Sequence, residues 1–79
     1  MSYEFELYPT EKTAIEAARN AAVDSAAAHD SEAEEKVLLS NGNTLIIKAS
    51  PAGELTEKSV GGHILSGVVF CSKKLAELF

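Results

Sequence analysis

Polar and apolar residues alternate at the start of the chain. Tyr3, Phe5 and Leu7 interleave with Glu4, Glu6 and Tyr8. That period of two predicts a strand with one aromatic-apolar face and one mostly acidic face. Pro9 stops it, because proline has no N–H to give a ladder. The period then becomes helical. Thr10 suits an N-cap, and Glu11 suits the first turn, where the helix dipole favours a negative charge. A helix is predicted from about Glu11 to about Ala28, with Ile15, Ala18, Ala22 and Ser25 or Ala26 on its apolar face. Ala14 and Ala21 lie beside them. Alanine is the best helix former. Its small side chain lets a helix approach a sheet closely while burying little area. The same stripe would also serve a helix–helix seam.

Val37 to Ser59 reads as two consecutive β-hairpins. Val37, Leu38 and Leu39 form a short apolar run before Ser40, Asn41, Gly42 and Asn43. Asn-Gly is a strong hairpin signal, since both residues tolerate positive φ. Thr44 to Ala49 follows as a return strand rich in β-branched residues. Leu45, Ile47 and Ala49 point to one face, and Ile46 and Lys48 to the other. Pro51 presets φ for a second turn, and Gly53 supplies a left-handed position. Leu55 to Val60 is a charged, weakly alternating third strand, which predicts a place at an edge or half in solvent.

His29 to Lys36 has no apolar periodicity and reads as a solvated loop or a frayed helix end. Gly61-Gly62 suggests a turn. His63 to Phe70 then reads as a final strand with a bulge at Gly67, and Ser72 would cap a short helix of Lys73 to Phe79. One long amphipathic helix competes with this, since Ile64, Leu65, Val68, Val69, Ser72, Leu75, Ala76 and Phe79 share a helical face. The glycines and β-branched residues favour strand plus helix. The expected fold is therefore α+β, a small single domain over residues 1–79 in the order β-α-β-β-β-α. Its antiparallel sheet is covered on one face by the alanine-rich helix.

Composition narrows the function. A chain of 79 residues buries only about 60% of its unfolded surface, so a homodimer would add stability. The apolar fraction of 46% is that of a globular chain. A net charge of −5 argues against direct binding of nucleic acid or an anionic membrane. Cys71 is the only cysteine. That excludes an internal disulfide and makes a reducing, cytoplasmic setting the expectation. The first residues lack the basic start and apolar core of a signal peptide. No apolar run reaches the roughly 18 residues of a membrane span.

Thr13-Ala14-Ile15-Glu16-Ala17-Ala18-Arg19, taken with Thr44 to Lys48, Gly53-Glu54-Leu55 and Ser59-Val60-Gly61, resembles a family of short uncharacterised bacterial proteins. That domain of unknown function has a strand–helix–hairpin unit. Its helix carries an Ala-Ile-Glu-Ala-Ala-Arg-like run, and its hairpin turns on an Asp-Gly-Arg-Ile-like segment. Here the turn reads Pro51-Ala52-Gly53-Glu54-Leu55, so only the glycine and the following aliphatic residue correspond. The acidic stretch and everything after Gly61 fall outside the resemblance. It implies fold only and carries over no functional residue.

No catalytic, cofactor or metal motif stands out. His29, Asp30, Glu32, Glu34 and Glu35 have the residue types of a metal site but not the spacing of a known loop. Cys71 and His63 would lie roughly 26 Å apart on one strand or about 12 Å apart on one helix. Neither geometry makes a nucleophile and its base, so a buried apolar role suits Cys71 and a strand-end or turn role suits His63. Gly61-Gly62 with Ser66-Gly67 lacks the lysine of a phosphate loop. Lys73-Lys74 is too short for a nucleic-acid patch.

Asp24, Asp30, Glu32, Glu34 and Glu35 crowd one stretch that holds no Lys or Arg from Asn20 to Glu35. With Glu4 and Glu6 they could form one acidic surface. The expected function is a small non-enzymatic interaction protein, such as a phage or mobile-element inhibitor or adaptor, that binds a basic protein surface through those five residues. Simple solubility would also explain the charge. The alternative is a homodimeric small-molecule-binding module of unknown ligand, with its pocket between helix and sheet.

Overall fold

A computed structural model describes residues 3–62 and 67–77. Strands β1 (Tyr3–Tyr8), β2 (Ala33–Leu38), β3 (Asn43–Ala49), β4 (Leu55–Gly61) and β5 (Gly67–Ser72) accompany helices α1 (Glu11–His29) and α2 (Lys73–Ala76). One sheet holds all five strands in the order β1-β5-β2-β3-β4. β1, β5 and β2 run parallel, while β2, β3 and β4 are antiparallel neighbours.

Local signals explain most of these elements. Thr10 caps α1: its Oγ1 accepts the Thr13 N–H, and Thr13 Oγ1 accepts the Thr10 N–H in return. The helix ends on Asp30 at φ 49°, a left-handed position that a short polar side chain tolerates. In the first hairpin only Gly42 is left-handed, at φ 90°, and Asn41 is not. The loop is therefore longer than the two-residue Asn-Gly turn that the sequence suggests. Asn41 Oδ1 instead accepts the Asn43 N–H at 3.0 Å. The second turn holds Gly53 at φ 91°, and the Gly53 N–H donates to the Ser50 carbonyl. β4 lies at an edge, as its charge pattern predicts. Ser72 Oγ accepts the Leu75 N–H and so caps α2.

Three expectations are corrected. The sheet is mixed, not antiparallel, because β5 inserts between β1 and β2 and runs with both. The order β-α-β-β-β-α leaves out one of the five strands that the sequence marks, and the structure holds all five. The stretch before Val37 is not a loop but the first half of β2, with Glu34 opposite Lys48 and Glu35 opposite Ile47. Main-chain pairing to β3 supplies there what apolar periodicity does not. His63 to Ser66, and with them the expected start of the last strand and the role of His63, lie outside the described residues. So does the end of the expected helix at Leu78 and Phe79.

The core has two parts. On one face, α1 seats Ala14, Ala18, Ala22 and Ala26 against Val37, Ile47, Ala49 and Phe70. Tyr8 stacks on Phe70 there, with ring centroids 5.8 Å apart. On the other face, Leu38, Val69 and Cys71 pack with Leu75 of α2 and with Phe5. Two covered faces explain why Val69, Phe70 and Cys71 form an unbroken apolar run, as inner parallel strands do.

Candidate interaction surfaces

Strand alternation sorts the charged residues. In β2, Glu35 shares the side of Val37, facing α1, whereas Glu34 and Lys36 share the side of Leu38. Register then aligns Glu34 with Lys48 and Thr56, and Lys36 with Ile46 and Lys58. Three lysines thus stand together on the face away from α1. Glu34 lies among them, 3.8 Å from Lys36 Nζ and 4.0 Å from Lys48 Nζ. An open groove of about 370 Å³ runs here, lined by Ile46, Lys48, Thr56, Lys58 and Val60 together with Glu34 and Glu57.

The α1 side is acidic. Glu4 and Glu6 alternate onto it with Tyr8 and are exposed, as are Glu16, Asp24 and Asp30 of the helix and its cap. Lys12 and Arg19 are cations on that side; Lys12 is exposed, and Arg19 is committed to Glu57. Its Nε donates to Glu57 Oε2 at 2.6 Å and its Nη2 to Oε1 at 3.0 Å. Those hydrogen bonds pull the Glu57 carboxyl below its usual range and raise the guanidinium. Glu11 also has a structural partner, accepting from the Ser40 N–H and Oγ.

The five acidic residues singled out in the sequence are therefore not one patch. Asp24, Asp30 and Glu35 belong to the α1 side. Glu34 is on the opposite face, held between lysines. Glu32 is exposed in the connection between them. The signal that would have separated them is the alternation of β2, hidden because Ala33 to Lys36 did not read as a strand. Without that strand, Lys36 cannot be placed beside Lys48 and Lys58 in a chain of net charge −5.

Glu35 is half-buried. Loss of solvent raises its carboxyl above the ordinary carboxylate value, the nearby charge of Glu6 adds to this, and Lys36 opposes it. A raised folded-state value means that the folded chain holds this proton more tightly than the unfolded chain. The associated stability is full below the unfolded value, about pH 4.3, and is lost as pH rises through the folded one. Glu35→Gln, which mimics the protonated form, should raise the melting temperature by a few degrees at pH 7 and leave it unchanged at pH 3. Paired melts at the two pH values check this. A loss at pH 7 would show that the carboxylate is stabilising where it sits.

The remaining candidates sit apart. Cys71 is fully buried in the second cluster, and burial pushes its thiol up. His29 Nδ1 lies 2.9 Å from the Ser25 carbonyl oxygen, a contact that ties the ring to the last turn of α1. Among the described residues, no three His, Cys, Asp or Glu side chains converge as metal ligands. Where a pocket between helix and sheet was expected, Ala14, Ala18, Ala22 and Ala26 have no exposed surface. Among the described residues, no helix is long and apolar enough to cross a membrane. No family model, curated protein or solved structure matches the chain.

Proposed function

We propose that this is a small non-enzymatic interaction protein that docks its acidic α1 side on a basic protein surface in the cytoplasm. An inhibitor or adaptor of a phage or other mobile element would have this character. The observation that supports the reading is the segregation of charge by the sheet. Glu4, Glu6, Glu16, Asp24, Asp30 and Glu35 share the α1 side and outnumber Lys12 and Arg19 there, while Lys36, Lys48 and Lys58 surround Glu34 on the other. Of the five acidic residues in the sequence cluster, Asp24, Asp30 and Glu35 carry the proposal. Segregated charge orients a partner and speeds encounter more than it adds affinity.

The test captures partners from lysate at low and high salt with three proteins: the wild type, a Glu4→Lys/Glu6→Lys/Asp24→Lys/Asp30→Lys variant, and a Lys48→Glu/Lys58→Glu variant. A partner that is held at low salt, released at high salt and lost only with the first variant supports the reading, because exposed pairs are screened. Association with the purified partner should then slow at least tenfold in the acidic-side variant. A partner lost only with the lysine variant would overturn it.

The groove favours a second reading. Lys48 and Lys58 flank Ile46 and Val60 there, a combination suited to a small anionic ligand with an apolar body. The homodimeric small-molecule module would then use this groove. A ligand that raises the melting temperature of the wild type but not of Lys58→Glu would establish it.

A further inference from the structure

The outer side of β4 presents main-chain groups to solvent. β4 is last in the sheet order, and among the described residues no strand lies beyond it. The Ser50 N–H donates to the Glu54 carbonyl at 2.9 Å, so Glu54 turns its main chain towards β3. Along an antiparallel pair, hydrogen-bonded and non-hydrogen-bonded residues alternate. Thr56, Lys58 and Val60 therefore bond to Lys48, Ile46 and Thr44. Leu55, Glu57 and Ser59 offer their N–H and C=O groups outward, and such a row is a template for another strand.

Edges are commonly blunted by short strands, prolines, bulges or charge. β4 has seven residues and no proline, and its register with β3 runs unbroken from Leu55 to Gly61. Charge is the device it carries, and that charge is selective. Lys58 stands at the middle of the strand on the face away from α1. It is exposed, and among the described residues it has no acidic partner within ion-pair distance, whereas Lys36 and Lys48 share Glu34. The register that pairs all of β4 with a second copy of itself sets Lys58 against Lys58. Like charges directly opposite are destabilising, and opposite charges there are favourable. One residue thus rejects the chain's own copies and admits an acidic strand. The α1 side of the edge differs, because Glu57 is already neutralised by Arg19. Val60, half-buried with Ile46 on the Lys58 face, is an apolar seat.

We propose that β4 docks an extended segment of a partner protein, which adds as a sixth strand antiparallel to β4 and sets an acidic side chain opposite Lys58. Alternation dictates the rest of that segment. The residues two places either side of the acid share its face, and there an aliphatic side chain meets Val60. The residues between them lie beside Glu57 and Ser59 on the α1 side, where small uncharged side chains fit. Main-chain bonds supply affinity in this mode, and alternate side chains supply specificity. The edge is separate from the acidic α1 side, and the charge it selects in a partner is the opposite one.

The probe is a capped peptide, Thr-Val-Thr-Glu-Thr-Val-Thr, titrated to millimolar concentration against the whole chain and followed by NMR. The amide protons of Leu55, Glu57 and Ser59 should shift and gain protection from exchange. A lysine in place of the peptide's glutamate should weaken binding at least about threefold. Lys58→Glu should reverse that preference, so that the lysine peptide becomes the tighter of the two. Lys58 is exposed, so the variant should keep the wild-type melting temperature. Methylation of the two threonine amides that flank the glutamate removes ladder donors and should abolish binding.

Failure of the glutamate peptide to bind at millimolar concentration would overturn the proposal. Equal affinity for the methylated peptide would do the same, since binding would then rest on side chains in the groove and not on the ladder. An unchanged preference in Lys58→Glu would remove the charge pairing on which the choice of partner depends. Protection of Leu55, Glu57 and Ser59 in the free protein, lost on dilution, would assign the edge to a second copy and also overturn the proposal.

Discussion

Phe70→Ala should remove a large share of the stability of this protein. Phe70 is 6% exposed, sits in β5 and stacks on Tyr8 beneath α1. Truncating a core phenylalanine costs about 3–5 kcal/mol, part of it from the cavity left behind. At roughly 0.05–0.15 kcal/mol per residue, a domain of this length has about 4–12 kcal/mol in total. The melting temperature of so short a domain moves by about 4–8 °C per kcal/mol, so a drop of at least about 12 °C is expected. A melt followed by circular dichroism reads it directly. Val68→Ala, two positions away but 42% exposed, should stay within about 0.5 kcal/mol of wild type. Equal effects from the two would mean that Phe70 does not face the helix, and the parallel insertion of β5 would then be wrong.

Ala18→Leu should be the most damaging enlargement on α1. Ala18 has no exposed surface and lies in the middle of the buried alanine series. Leucine is nearly as good a helix former as alanine, so any loss comes from packing and not from propensity. Extra carbons in a filled seam cost about 1–3 kcal/mol, because side chains leave their rotamers or the helix lifts. Here the helix covers strands that also hold Val37, Ile47 and Phe70, so lifting it would loosen the whole first cluster. The urea midpoint of Ala18→Leu should fall clearly below wild type. That of Ala27→Leu, on the exposed side of the same helix, should not. If both midpoints stayed at the wild-type value, the alanine series could not be the seat of the helix.

Elements with local causes were legible in the sequence. β1 followed from strict alternation before Pro9. α1 followed from Thr10 and a run of strong helix formers, and its boundaries were right to within a residue. The turns at Gly42 and Gly53, the edge position of β4 and the cap of α2 at Ser72 were legible for the same reason. Each is decided by a few neighbouring residues. The first half of β2 was not, because Glu34, Glu35 and Lys36 become a strand only when β3 offers them its main chain. The candidate site suffered from the same gap. A run of acids looked like one surface, yet adjacent strand residues face opposite ways, and Glu34 parted from Glu35.

The amino-acid sequence by itself determined the class of the domain, the span of the helix, the course of the two hairpins and the excess of negative charge. Those properties depend on backbone preference and on periodicity within one segment. Tertiary structure alone decided that β5 enters between β1 and β2, that the last apolar residues are covered on both faces, and that Lys36, Lys48 and Lys58 gather on the face away from α1 while Glu35 turns towards it. A strand's own residues record that it alternates and how apolar it is. They do not record its neighbour, because the ladder is made of main-chain groups that nearly every residue carries alike.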